Sequence, residues 1–186
     1  MIVRETTLPG AFVIEVERHP DERGFFARTF DRDELEAHGL ATQIVQMSMA
    51  RNAEAGTVRG MHFQYPPHAE VKFVRCVRGA VHDVVIDLRP ESETFGRSYA
   101  VELDAQTGVT LYVPERFAHG YQTLTDDSDV TYAMTTSYAP DAAAGLRYDD
   151  PAFGIDWPLP VSRISERDRQ WPLLADVSGE LARRMG

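Results

Sequence analysis

The sequence predicts an all-β domain, an antiparallel sandwich or barrel with a few short helices at its edge. Three observations lead there. Short strand-like segments recur at close spacing, turn residues punctuate them, and only one segment before Asp141 has the pattern of a helix.

Ala11–Arg18 alternates apolar and polar residues, as a half-buried strand does. Gly24–Phe30 is aromatic-rich and follows the turn-like Pro20-Asp21-Glu22-Arg23. Asp31–Gly39 is the helix: Asp31 can cap it, Glu34 stands three residues on, and Gly39 ends it. Strand candidates then follow at Gln43–Met49, Thr57–Gln64, Val71–Arg78, Ala80–Leu88, Ser98–Leu103, Val109–Val113, Tyr121–Leu124 and Val130–Tyr138. Val77-Arg78-Gly79-Ala80 reads as a tight hairpin corner. From Asp141 onward the character changes. Pro151, Pro158, Pro160, Pro172 and both tryptophans lie there, so the stretch is expected to wrap the barrel and end in one or two short helices. Ser165 can cap one of them. Residues 1–186 are read as a single domain, with about 141–186 as a wrapping extension.

Composition narrows the function. A net charge of −10 argues against nucleic acid, which needs a broad basic surface. A small anionic ligand stays open, because a few cations focused in one pocket can hold it. The single cysteine, Cys76, permits no internal disulfide. The N-terminal MIVRETTLPG carries an acid and breaks at Pro9-Gly10, unlike a signal peptide, and no apolar stretch reaches the length of a membrane span. The expectation is a soluble cytoplasmic protein.

The chemistry-bearing residues fall in or beside strands. His62 closes Arg59-Gly60-Met61-His62 and is either a packed core histidine or a base. Arg59, Lys72, Arg75 and Arg78 suggest a gathered set of cations for an anion. Arg59 and His62 are three apart, so a regular strand points them to opposite faces. A bulge at Gly60 is the device that would bring both inward. His119 reads as a loop histidine or a partner for Asp83. Asp83 shares a strand face with Val81 and Val85, and an acid among valines needs such a partner. Tyr132, Met134, Thr136 and Tyr138 share a face that either packs or lines a cavity. Asp21-Glu22-Arg23-Gly24-Phe25-Phe26 is a turn that offers Arg23 to a phosphate and its rings to a base or sugar. A metal site built from His62, His82 and His119 is the weaker alternative, because position 64 is Gln and not a second histidine.

Taken together, Asp21-Glu22-Arg23-Gly24-Phe25-Phe26, Arg59-Gly60-Met61-His62-Phe63-Gln64, Lys72-Phe73-Val74-Arg75, Val77-Arg78-Gly79, Asp83 with Ile86-Asp87-Leu88-Arg89, Phe117-Ala118-His119-Gly120, Asp149-Asp150-Pro151, Gly154-Ile155-Asp156-Trp157-Pro158 and Ser165-Glu166-Arg167-Asp168 occur in this order. This ordered set resembles the dTDP-4-dehydrorhamnose 3,5-epimerase family from end to end. The resemblance implies a cupin-type jelly roll, a homodimer, no cofactor and no metal. It implies a nucleotide-linked sugar as substrate, and the inversion of C3, C5 or both in a 4-keto-6-deoxyhexose. It implies that His62 is the base, Asp168 its carboxylate partner, Tyr132 the proton donor on the opposite face, and Lys72 the cation near the enolate oxygen. Arg23, Gln46 and Arg59 match positions facing the diphosphate and sugar. Phe26 and Tyr138 match positions near the base, and His119 with Asp83 matches a second pair in the pocket. Arg28 stands where members often carry an acid at a base-contact position, which points to a CDP- or GDP-linked sugar as an alternative to dTDP. The same scaffold would also serve a 3,4-ketoisomerase or a metal-dependent cupin.

Overall fold

In a computed structural model of Met1–Gly186, two antiparallel sheets face each other. One has six strands in the order β1 (Ile2–Glu5), β2 (Phe12–Glu15), β10 (Thr110–Val113), β7 (Lys72–Arg78), β12 (Ser128–Met134) and β5 (Gln46–Asn52). The other has five, in the order β13 (Ala143–Gly145), β6 (Val58–Gln64), β11 (Phe117–Thr123), β8 (Ala80–Asp87) and β9 (Ser98–Asp104). A separate hairpin of β3 (Arg18–Asp21) and β4 (Gly24–Ala27) pairs with neither sheet. The helices are α1 (Arg32–Ala37), α2 (Glu166–Arg169) and α3 (Leu174–Met185). This is the all-β class that the strand pattern predicts.

Strand alternation places the core. Val74, Cys76, Leu111 and Val130 from one sheet meet Val81, Val85, Leu103, Phe117 and Tyr121 from the other, all buried between the layers. The opposite side of β8, with Val84 and Ile86, packs into a second cluster with Met61, Phe63, Leu146, Phe153, Leu181 and Met185. Strand β8 is therefore covered on both faces, which is why it reads as a near-continuous apolar run. Residues from 142 onward supply that outer cover. On the far side, Leu35 and Leu40 of the α1 region close over Ile14, Phe73 and Tyr112.

Both sequence-read caps are present. The Asp31 carboxylate accepts from the Glu34 N–H at 3.1 Å, and the Ser165 hydroxyl from the Asp168 N–H at 3.0 Å. Three local expectations need correction. Val77–Ala80 is no hairpin, since β7 and β8 belong to different sheets and the chain crosses between layers at Gly79, whose φ is +73°. The strand expected to reach Tyr138 ends at Met134. The strand expected to start at Tyr121 starts at Phe117, so His119 is a strand residue. Strands β1, β3 and β13 carry too short a pattern to be read from sequence.

Candidate active site

The site forms where β6 faces β12 and the edge of β7. Its first requirement is that His62 point inward, and this depends on an irregularity in β6. His62 pairs with His119 while Arg59 pairs with Tyr121, so three steps along β6 match two along β11. The extra residue is the bulge, and it puts Arg59 and His62 on one face, as Gly60 suggested. Gly60 has φ +146°, and a Cβ there would lie 2.6 Å from the Cα of Gly120. Only glycine fits so close a crossing of two backbones.

His62 meets Asp168 across the junction of β6 and α2, with Nε2 2.6 Å from Oδ1. Asp168 is only 5% exposed. Burial works to raise its carboxyl pKa, but the His62 contact, the Gly60 N–H and the Trp171 indole N–H outweigh it and hold the net value below the usual range. The carboxylate is thus ionised and can only accept. Nε2 of His62 must carry the proton, which leaves the Nδ1 lone pair free to act as a base.

A cleft of about 280 Å³ opens beside this pair. His62, Phe63, Gln64, Ala143 and Ala144 line one side, and Gln46, Ser48, Lys72, Tyr132 and Met134 the other. The two groups come from opposite sheets, so anything bound between His62 and Tyr132 presents a different face to each. The Lys72 ammonium is nearly buried, 3.1 Å from a Glu70 carboxylate oxygen and 3.4 Å from the His62 carbonyl. Burial is the largest of the causes that push the Tyr132 phenol well above its ordinary pKa, so it stays protonated through neutral pH. Tyr138 lines the mouth from the loop after β12, and its N–H donates to the Gln46 side chain at 2.9 Å.

His119 and Asp83 form a second pair, Nε2 to Oδ1 2.8 Å, both within the interior. His119 does not line the cleft. It is 4% exposed and packs edge-on to the Tyr132 ring, centroids 6.1 Å apart. Arg59 shares the inward face but sits beside the cleft, donating to the Asn52 side chain at 2.7 Å. Arg23, Phe26 and Arg28 are not brought to the cleft within one chain. They project from or just after the β3–β4 hairpin, where Arg23 pairs with Asp21 and Arg28 with Asp31. Two of the gathered cations are also elsewhere. Arg75 points from the other face of β7 onto Thr110, and Arg78 pairs with Asp127 at the sheet's end. His82 likewise leaves the interior and packs near Trp157, so the three histidines do not converge.

Sequence reading missed Glu70, Arg167 and Trp171 in the cleft wall. Glu70 lies two positions before Lys72 at the entrance of β7, a same-side spacing that could have flagged it. Arg167 and Trp171 flank Asp168, and Trp171 packs on Gly145, where a Cβ would lie 2.5 Å from its ring.

Comparison with known proteins gives one consistent result. Residues 5–176 match the family described as dTDP-4-dehydrorhamnose 3,5-epimerase. A Methanothermobacter thermautotrophicus protein of that name is 39% identical, covering 92% of this chain and 94% of its own. The fold is similar to the Legionella pneumophila dTDP-6-deoxy-D-glucose-3,5-epimerase solved with dTDP-4-keto-L-rhamnose, with a TM-score of 0.90 and 33% identity over 97% of this chain and 96% of that one. It is also similar to a 3'-monoepimerase from Streptomyces bikiniensis solved with dTDP-quinovose, with a TM-score of 0.87 and 32% identity over 95% and 90% of the two chains.

Proposed function

The chain belongs to the dTDP-4-dehydrorhamnose 3,5-epimerase family, and we propose that its cleft inverts C3, C5 or both of a dTDP-linked 4-keto-6-deoxyhexose with His62 as the base. It is an isomerase with the cupin-type jelly roll of its structural relatives. The observation that carries the mechanism is the position of His62, backed by Asp168, across the cleft from Tyr132.

A C–H beside the C4 ketone is a very weak acid, so the enolate must be stabilised as it forms. The Nδ1 of His62 takes the proton and Asp168 stabilises the resulting imidazolium. Negative charge moves to the C4 oxygen, where the Lys72 ammonium offsets it in a largely dry pocket. Tyr132 then gives its phenolic proton to the same carbon from the other side, and the centre is inverted. The cycle closes when His62 returns a proton to water and Tyr132 regains one. These steps need only side chains and solvent, in keeping with a cofactor-independent enzyme.

Gln46 and Arg59 are assigned to the diphosphate and sugar, and Tyr138 to the base. His119 and Asp83 support Tyr132 from behind. Arg23, Phe26 and Arg28 reach a cleft only across a homodimer. Support for that assembly comes from the exposed hairpin, with Phe26 65% exposed, and from the exposed outer side of edge strand β5, with Met47 72% and Met49 66% exposed. We read the whole chain as one domain with residues from 141 as its wrapping extension. No helix is long and apolar enough to cross a membrane, and we assign the enzyme to the cytoplasm. The relatives named above do not favour a 3,4-ketoisomerase or a CDP- or GDP-linked substrate.

The test is incubation of a dTDP-4-keto-6-deoxyhexose in heavy water. Deuterium is expected at C3, C5 or both, with the configuration inverted there. His62→Ala should abolish exchange in a variant that still folds cooperatively, with a lower melting temperature because the buried Asp168 loses its partner. No exchange with dTDP-, CDP- or GDP-linked 4-keto sugars would overturn the reading. Sedimentation of the purified protein as a monomer would remove the homodimer and, with it, the roles of Arg23, Phe26 and Arg28.

A further inference from the structure

The carboxylate behind His62 is held by more than His62. Asp168 Oδ1 meets the His62 Nε2 at 2.6 Å, and Oδ2 accepts from the Gly60 N–H at 3.4 Å. Trp171, just past α2, donates its indole N–H to Oδ1 as well, at 3.3 Å. A carboxylate oxygen has two lone pairs, so Oδ1 takes both donors at once. These are the only hydrogen bonds that the nearly buried Asp168 side chain makes.

What admits the indole is the strand beside His62. Gly145 of β13 pairs directly with His62 of β6. The ring of Trp171 lies over that glycine. A Cβ at position 145 would stand 2.5 Å from the indole nitrogen itself, and 2.5 Å and 2.8 Å from the two carbons bonded to it. Any other residue there would displace the very atom that donates to Asp168. The Arg167 guanidinium covers the same ring, 5.0 Å from its centroid. The contacts close a loop. His62 pairs with Gly145, Gly145 makes room for Trp171, Trp171 bonds to Asp168, and Asp168 meets His62.

We propose that Trp171 is a positioning residue for the deprotonation step, acting through Asp168, and that Gly145 is the glycine that makes its place. On the His62 contact alone, the carboxylate can turn about its Cβ–Cγ bond. The indole N–H and the Gly60 N–H fix its plane, so Oδ1 stays on Nε2 while the imidazole becomes imidazolium. A second N–H on Oδ1 also makes that oxygen a poorer base, which keeps the shared proton on Nε2. The inference rests on His62 and Asp168 as the base and its partner.

A double-mutant cycle tests this, read by deuterium entry into a dTDP-4-keto-6-deoxyhexose in heavy water, which long incubation makes measurable even in slow variants. Trp171→Phe keeps an aromatic ring in the cleft wall and removes the N–H. Exchange and kcat should fall together by about tenfold, the low end for a hydrogen bond to a charged group, with KM little changed. Asp168→Ala removes the acceptor, and in that background Trp171→Phe should cost nothing further, because the two residues act as one unit. Gly145→Ala keeps the indole but takes the place of its nitrogen. It should show the same loss and the same disappearance in the Asp168→Ala background, and it decides the matter if Trp171→Phe does not fold. Wild-type exchange in Trp171→Phe, or an equal loss with and without Asp168, overturns the role of Trp171 and leaves His62 and Asp168 standing. Wild-type exchange in Asp168→Ala overturns that pair and the inference with it.

Discussion

The Asp168 carboxylate lies 2.6 Å from Nε2 of His62, although the two residues are 106 positions apart. The contact joins β6 to the short helix α2, and α2 exists because Ser165 caps it. A carboxylate there fixes which nitrogen of His62 holds the proton and, in the proposed mechanism, stabilises the imidazolium. Asp168→Asn keeps the size and one oxygen but removes the charge. It also allows the amide to donate and so to select the wrong tautomer. kcat is expected to fall roughly 10²- to 10⁴-fold with KM little changed. Steady-state kinetics with a matched melting curve checks this, and an unaltered kcat would remove Asp168 from the mechanism.

The same carboxylate links stability to pH. Its folded pKa lies below its unfolded value, so between the two the unfolded state binds more protons. The stabilisation is complete above the unfolded carboxylate pKa, about 3.9, and is lost as pH falls through the lower folded value. Urea midpoints measured from neutral pH down to about 3 should fall in the native protein. The Asp168→Asn curve should start lower and fall less steeply. Parallel curves would mean that the His62–Asp168 contact does not form in solution.

The inward face of β6 shows how much the sequence carries and where it stops. Alternation along β8, the caps at Asp31 and Ser165, and the Gly60 bulge are local patterns, and each is present in the fold. What alternation cannot express is which sheet a strand joins. Val77–Ala80 has the residues of a tight turn, and only the packing of two layers makes it a crossing between them. The same limit misplaced Arg75, because in-or-out parity on β7 needs an anchor that Lys72 provides only once the cleft is seen. Asp168 was legible only through an ordered set of motifs, whereas Lys72 and Tyr132 stood out in the local pattern of their strands and took their roles from the family resemblance. Glu70 lay outside those motifs and became visible through a 3.1 Å ion pair.

Gly60 is accordingly the most sensitive glycine of the site. Gly60→Ala forces a side chain into φ +146° and into the backbone of Gly120. Strain alone is expected to cost roughly 1–3 kcal/mol, and β6 must shift away from β11 to relieve the overlap. That shift turns His62 from Asp168, so kcat should drop more than stability would suggest. Denaturant unfolding together with exchange in heavy water checks both. Wild-type kinetics in the variant would mean that the bulge does not orient His62.

The outer cover of the five-stranded sheet supports the same strand from behind. Leu174, Val177, Leu181 and Met185 form one stripe of α3, with Leu181 and Met185 fully buried. They close over Met61, Val84 and Ile86, and Met61 adjoins His62 in β6. Leu181→Ala removes apolar contacts from a filled cluster and is expected to cost about 2–5 kcal/mol. Glu180→Ala, at an exposed neighbour paired only with Arg184, should change stability by about 0.5 kcal/mol or less. Below the melting transition, Leu181→Ala should retain kcat, because α3 reaches the cleft only through the rear of β6. A large loss of activity without loss of stability would instead make α3 a direct part of the site.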